Sequence, residues 1–310
     1  ISTSSTSTPF TITGLINGTN YTVLLRAINS VGASSTSLSV NNSAIPANVP
    51  TPPNVSSVVK GAGQVTITFT APDSDGGLSI TNYQYTLDGG TNWITRSPSS
   101  TASPLTITGL TNGTTYGVAI RAVTASTTGL ASTVTYATPS TTPDAPTNVT
   151  FTALSTRIAV AYTAAANGGS PITTYEYALS TDGGSTYGSW VSANTTATSF
   201  TISGLTNGTG YRIKIRAVNG NGNGTATSTP ASNTTPAGVP ESPVITASNN
   251  AATAPASLTG NQISVSFTEP SNNGSAITNY QYSTDAGATW INRTDGTGRF
   301  SPLVISNLST

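Results

Sequence analysis

Apolar and hydroxyl-bearing residues alternate through much of the chain. Val65, Ile67 and Phe69 are separated by Thr66, Thr68 and Thr70, and the runs IAVAYTAA from Ile158 and ISVSFTEP from Ile263 repeat the pattern. Further along, Val118, Ile120 and Ala122 alternate with Ala119, Arg121 and Val123. A period of two sends successive side chains to opposite faces of a strand, and β-branched residues fit that pleated surface. Asn-Gly, Asp-Gly-Gly and Pro-rich stretches punctuate the runs as turns. No apolar stripe of useful length follows a helical period. The pattern predicts an all-β chain of short strands, about seven per 95 residues, which is the density of a Greek-key β-sandwich.

The elements repeat. TITGLINGTNYTVLLRAIN after Phe10, LTITGLTNGTTYGVAIRAVT from Leu105 and FTISGLTNGTGYRIKIRAVN from Phe200 align without gaps. Their leucines fall at Leu15, Leu110 and Leu205 and their tyrosines at Tyr21, Tyr116 and Tyr211, 95 residues apart each time. A fourth copy begins at Leu303. A second block recurs as ITNYQYTLDGGTNW from Ile80, ITTYEYALSTDGGSTYGSW from Ile172 and ITNYQYSTDAGATW from Ile277. A period of this length is a small domain rather than a solenoid unit.

The Leu-to-Tyr corner followed by V-A-I-R-A-V resembles tandem fibronectin type III domains. The resemblance implies seven-stranded Greek-key sandwiches with a tyrosine hydroxyl bonding back to the backbone at the corner. It makes Leu15, Tyr21, Leu110, Tyr116, Leu205 and Tyr211 structural corner residues. Two departures stand out. Asn17, Asn112 and Asn207 replace a proline common in the family, with Asn-Gly supplying the turn, and Phe69, Tyr162 and Phe267 stand where the family commonly has Trp.

Prolines at 46, 50 and 53, at 139, 143 and 146, and at 236, 240 and 243 mark three junctions of one spacing. Proline fixes φ and cannot donate to a ladder, so such joints act as semi-rigid spacers or start edge strands. The divisions that follow are 1–45, the C-terminal half of a domain; 50–139 and 143–236, complete domains; and 239–310, the N-terminal part of another. The expected arrangement is an extended rod. Ile1 aligns with Val191 and Thr310 with Asn207, so both ends share nearly one phase. With no Met and no secretory apolar segment at the start, the chain reads as a mature or excised piece. Either it is a window onto a longer repetitive chain, which the redundant corner strands favour, or one chain's half-domain completes the next by strand complementation.

Composition narrows the chemistry. Ser and Thr number 102 of 310 residues, charged residues are 6%, net charge is zero, and there is no Cys, His or Met. Thiolate sites, disulfides and the usual general base are excluded. A neutral chain without basic runs has no electrostatic footprint for nucleic acid or anionic membrane. No apolar stretch is long enough to span a bilayer as a helix.

Ser283-T-D-A-G-A-T-Trp290 looks like an Asp-box, with looser versions at Thr86–Trp93 and Ser180–Tyr187. A turn aspartate there binds its own loop's N–H groups, and the box is a fold element. Asp73 and Asp75 could offer oxygens to Ca²⁺, but the equivalent loops hold no carboxylate pair and hard cations need about six to eight oxygens. Glu176, Glu241 and Glu269 fall at unrelated phases, which argues against a glycosidase pair. No catalytic, cofactor or metal residues are therefore expected. Trp93, Trp190 and Trp290 recur once per repeat as a possible contact surface for sugars or subunits, or as covers over a hairpin. Arg26, Arg121 and Arg216 recur on the corner strand and are expected to pair with a neighbouring strand or cap a joint. Thirteen Asn-x-Ser/Thr sequons, including those at Asn17, Asn41, Asn112 and Asn207, follow largely from composition and the repeated NGT turn.

The expected function is a non-enzymatic extracellular structural protein, the repeat region of a surface fibre, filament or cell-adhesion stalk of bacterial or phage type. Copies of itself are expected partners, and glycans are possible ones. The alternatives are spacer or carbohydrate-binding modules of a secreted glycan-degrading enzyme, and a virion fibre or decoration protein.

Overall fold

The structure is a computed structural model that describes residues 9, 11–36, 43–250, 261–294 and 299–308. Ile1, Phe10, Asn41 and Thr310, which entered the repeat and sequon arguments, lie outside the described residues. Every described element is a strand, and the chain forms two compact units, Ile1–Thr141 with Gly168–Ser170, and Thr142–Asn167 with Pro171–Thr310.

The first unit begins with a two-stranded ladder, β1 (Tyr21–Thr22) on β2 (Ser43–Ala44). A complete sandwich follows. One sheet holds β3 (Asn54–Gly61), β4 (Gln64–Thr70) and β7 (Leu105–Thr108) in the order β3-β4-β7. The other holds β5 (Asn82–Thr86), β6 (Ile94–Thr95), β8 (Tyr116–Val123) and β10 (Thr135–Ala137) in the order β10-β8-β5-β6, with β9 (Thr128–Ala131) also on β8. All pairings are antiparallel. The chain thus crosses between the sheets from β4 to β5, from β6 to β7 and from β7 to β8, as in a Greek key.

The core sits where the alternating positions placed it. Val65, Ile67, Phe69, Tyr83, Val118, Ile120 and Ala122 are all buried in one cluster between the sheets. Phe69 of one sheet meets Tyr83 of the other edge-on, with ring centroids 4.6 Å apart. Each such buried aliphatic or aromatic side chain contributes roughly 1.5–3 kcal/mol over leaving it in water, an upper estimate given residual burial in the unfolded chain.

The second unit repeats the plan. The strands β11 (Thr147–Leu154), β12 (Arg157–Thr163) and β15 (Ser199–Ser203) form one sheet. The facing sheet runs β14-β13-β16-β17, from β13 (Ile172–Ser180), β14 (Val191–Ser192), β16 (Arg212–Asn219) and β17 (Gly222–Asn223). In β16 the alternation is complete. Ile213, Ile215 and Ala217 are buried, while Arg212, Lys214 and Arg216 reach the outer face. Tyr162 packs on Tyr175 at 4.7 Å, as Phe69 does on Tyr83.

Residues beyond Gly238 form β18 (Val244–Asn250), β19 (Ile263–Thr268) and β22 (Leu303–Ile305) as one sheet, and β20 (Gln281–Tyr282) with β21 (Ile291–Asn292) as a two-stranded ladder. Phe267 meets Tyr280 at 4.6 Å, so the same aromatic pair links the two sheets a third time.

Candidate functional site

Three local devices recur, and they account for nearly all the residues singled out from sequence. The first is the corner. Tyr21, Tyr116 and Tyr211 each accept, through Oη, the backbone N–H five residues upstream, at Ile16, Thr111 and Thr206, with distances of 3.0, 3.0 and 3.1 Å. Each hydroxyl thereby satisfies an amide that the tight turn leaves without a strand partner. Leu205 is buried in the core cluster, and Leu110 packs against its own.

The corner asparagines do more than turn the chain. Asn112 Oδ1 accepts the Gly63 amide at 2.8 Å, and Asn207 Oδ1 accepts the Thr156 amide at 2.7 Å. Gly63 and Thr156 lie in the turns joining β3 to β4 and β11 to β12, both with positive φ. The following glycines, Gly18, Gly113 and Gly208, hold φ near +80°, a region that costs other L-residues energy. An amide side chain fits here because it accepts from one element while donating to another, which proline could not do.

The second device is a joint inside each unit. In the first, Gly18 donates to the Pro46 carbonyl and Asn48 to the Gly76 carbonyl, both at 2.9 Å. Gly18 and Gly77 approach so closely that a Cβ on Gly77 would sit 2.5 Å from the Gly18 nitrogen. In the second unit Gly208 donates to the Pro236 carbonyl and Gly238 to the Asn273 carbonyl, again at 2.9 Å. Asn207 Nδ2 donates to Asn273 Oδ1 at 2.6 Å, and Asn273 Nδ2 donates to the Val239 carbonyl at 2.9 Å. The Asn-Gly corner of one repeat is thus seated on the glycine loop of the next. The proline spacing marked where the joints fall, but these contacts are what close them.

The third device is the aspartate hairpin. Asp285 accepts the Thr289 amide at 2.8 Å, the Thr289 hydroxyl at 2.5 Å and the Ser283 hydroxyl at 2.7 Å. Those bonds hold its carboxyl well down, from the ordinary 3.8 to about 2, with the Thr289 hydroxyl the largest cause. Asp88 is lowered first by the Asn92 amide, then by the Thr86 hydroxyl, and Asp182 first by the Thr186 hydroxyl, then by its amide. These carboxylates are ionised and engaged by their own turns. Asp75 accepts the Gly77 amide at 2.8 Å, and Asp73 accepts from Asn54 Nδ2 at 3.0 Å, so both serve local structure.

Trp93 and Trp190 are covered on one face. Arg121 lies 4.2 Å above Trp93 while its Nε donates to Gln84 Oε1 at 2.8 Å, and Arg216 lies 4.1 Å above Trp190 with a 2.7 Å ion pair to Glu176. A guanidinium over an indole is worth roughly 0.5–1 kcal/mol at such exposure. The spacing is less uniform than the sequence suggests. Trp93 and Trp290 stand five residues after the hairpin aspartate, whereas Trp190 stands eight after Asp182 and Tyr187 holds the five-residue place beneath Lys214. Trp290 is 61% exposed. Arg26, on the exposed segment after β1, lies on the surface.

Sequence reasoning passed over Arg96 and Arg293. Arg293 is buried and donates to the carbonyls of Phe300 and Pro302 at 2.5 and 2.6 Å, and Arg96 donates to those of Ser100 and Ala102 at 3.3 and 2.5 Å. Each guanidinium organises the loop leading to the strand at 105 or 303. The matching W-I-T-R and W-I-N-R tetrapeptides were the available signal.

Residues 144–234 match the family model described as Fibronectin type III domain. The chain is 36% identical over 113 residues to a Kelch domain-containing protein of Saccharolobus solfataricus, covering 36% of this chain and 15% of that protein. It is 32% identical over 231 residues to Exoglucanase B of Cellulomonas fimi, covering 69% of this chain and 20% of that protein. The chain therefore spans a fifth or less of the length of these curated relatives. Among solved structures, the FN1-FN3 domains of chicken CNTN1 align over 84% of this chain and 89% of that one, with 16% identity and a TM-score of 0.36.

Proposed function

We propose, from the premise that residues 144–234 are a fibronectin type III domain whose strands and corner recur in residues 50–139, that this chain is a non-enzymatic structural region of an extracellular protein. In that reading it is the repeat region of a surface fibre or stalk, and it holds other parts of the protein at a set distance. The observation that carries it is the joint. Within each unit, successive repeats are fastened by backbone hydrogen bonds and a close glycine contact rather than tethered by a flexible linker. The chemistry agrees, because the hairpin carboxylates and two of the repeated arginines, Arg121 and Arg216, are engaged in holding a turn, a strand or an indole. A surface this poor in Lys and Arg also presents few sites to trypsin-like proteases.

Small-angle scattering of the chain tests this. Gly274→Val should require a broader set of angles between the two repeats it joins than wild type does. Hydrolysis of any polysaccharide by the isolated chain, or scattering unchanged by Gly274→Val, would overturn the reading.

The match to part of an exoglucanase favours one further reading, a spacer or sugar-binding region beside a catalytic domain. Trp290, with its ring exposed, is the residue best placed for stacking on a sugar. Affinity electrophoresis in cellulose-derived or other glycans, comparing wild type with Trp290→Ala, decides this: retardation lost in the variant supports sugar binding, and no retardation of either removes it.

A further inference from the structure

Every corner places an asparagine directly before a glycine, at Asn17-Gly18, Asn112-Gly113 and Asn207-Gly208. That dipeptide is chemically labile, because a glycine has no Cβ to shield its nitrogen from the preceding side chain. The glycine nitrogen loses its proton and bonds to the asparagine Cγ, the Cγ–Nδ2 bond breaks, and ammonia leaves. Water then opens the five-membered imide at either carbonyl, which yields aspartate or its β-linked isomer. No enzyme or cofactor is needed, only freedom of the carboxamide to swing over the glycine nitrogen.

At Asn207 each group that the reaction uses is held. The Gly208 N–H donates to the Pro236 carbonyl at 2.9 Å, which retains the proton that must leave. Asn207 Oδ1 accepts the Thr156 amide at 2.7 Å, while Nδ2 donates to Asn273 Oδ1 at 2.6 Å and to Ser155 Oγ at 3.3 Å. The carboxamide reaches the Gly208 nitrogen only by breaking these bonds. The loop of the next repeat also closes over that nitrogen, since a Cβ on Gly274 would lie 2.4 Å from it. Of these restraints, the bond to Asn273 and the approach of Gly274 exist only while the joint is closed.

We propose that Asn207 is a latent site of spontaneous deamidation, gated by the joint. The closed joint blocks the reaction and each opening admits it. The change is one-way. Aspartate at 207 presents a carboxylate oxygen where Nδ2 donated to Asn273, and it adds a negative charge to a chain of net charge zero. The β-linked isomer inserts a methylene into the main chain and displaces Gly208 from the Pro236 carbonyl. Reaction during an opening therefore leaves the joint permanently slack. The inference rests on the bonds around Asn207 and holds whether the chain is a stalk or a spacer.

Peptide mapping by mass spectrometry, after timed incubation of the 310-residue chain at mildly alkaline pH, reads this out. The reference is a synthetic peptide of residues 203–213, in which nothing holds the corner. Asn207 in the folded chain should convert at least about tenfold more slowly than in the peptide, because reaction waits on local opening. Gly274→Val, and the milder Asn273→Ala, should speed conversion at Asn207, by about tenfold for Gly274→Val. Asn223-Gly224 is the internal control, in the same sandwich but with its Gly224 N–H on the Ala217 carbonyl at 2.8 Å. Its rate should stay at the wild-type value in both variants, which an unfolded sandwich would not allow. Conversion of Asn207 as fast in the folded chain as in the peptide overturns the proposal. So does a rate that neither variant changes, and so does equal acceleration at Asn207 and Asn223, which would assign the protection to the sandwich rather than the joint.

Discussion

Asn207 donates through Nδ2 to the side-chain oxygen of Asn273, 2.6 Å away and 66 residues further along the chain. The same Asn207 accepts from the Thr156 amide through Oδ1. One amide side chain therefore closes a hairpin of its own sandwich and fastens the following repeat. Both residues precede a glycine with positive φ, Gly208 and Gly274.

Replacing Asn207 by Ala removes these bonds and a longer one to Ser155 Oγ, and leaves the Thr156 amide to water. A loss of about 1–2 kcal/mol is expected, read as a lower midpoint in urea. Cleavage between 236 and 243 by a broad-specificity protease should accelerate in parallel.

Gly77 and Gly274 have no room for a side chain. A Cβ on Gly77 would meet the Gly18 nitrogen and the Asn17 carbonyl carbon, and one on Gly274 would run into the Gly208 nitrogen and the Pro236 oxygen. Gly77→Val should destabilise its joint by about 1–3 kcal/mol from the positive φ alone. Thermal unfolding of the chain should then lose cooperativity, seen by calorimetry as a broader endotherm.

The hairpin aspartates make stability depend on acid. Their folded pKa values are depressed, so the stabilisation they give is present above the unfolded value and is lost as pH falls through the folded one. For Asp285 the window runs from its ordinary 3.8 down to about 2, and Asp88 and Asp182 shift in the same direction. The melting temperature should fall as pH drops through this range. Asp88→Asn, Asp182→Asn and Asp285→Asn together should flatten the fall, as measured by fluorescence-monitored melting.

Glycosylation in a eukaryotic host should sort the sequons by structure. Asn207 and Asn273 use their amide nitrogens at the joint, whereas Asn194 is exposed, at positive φ, with its side chain outside such contacts. Glycopeptide mass spectrometry should find Asn194 modified and Asn207 and Asn273 bare. Occupancy at Asn207 would mean that the joint opens or forms only after export.

Tyr116→Phe deletes only the corner hydroxyl. Its Thr111 partner is exposed, so a cost of about 0.5–1.5 kcal/mol is expected. The equivalent Tyr211→Phe should behave alike, and a double variant should be additive, because the two corners lie in separate sandwiches. Chemical denaturation of the three variants checks this.

Much was legible because it is local. The alternation of Val65, Ile67 and Phe69 with threonines, the Asn-Gly turns and the Asp-Gly hairpins each state their backbone conformation within a few residues. A repeat of 95 residues multiplies every such signal, so the all-β sandwich could be read from the chain alone. The roles of the corner asparagines could not. Asn207 looks like a turn residue in sequence, and only folding brings Ser155, Thr156 and Asn273 within its reach. The same holds for Arg121 over Trp93, for the loop clamp made by Arg293, and for the glycine approach at Gly18 and Gly77. Those are meetings of groups dozens of residues apart, set by which sheet edge faces which loop. Hydrophobic alternation determines which side of a strand turns inward, but the partner of an outward-facing polar group is chosen by packing that no local pattern encodes.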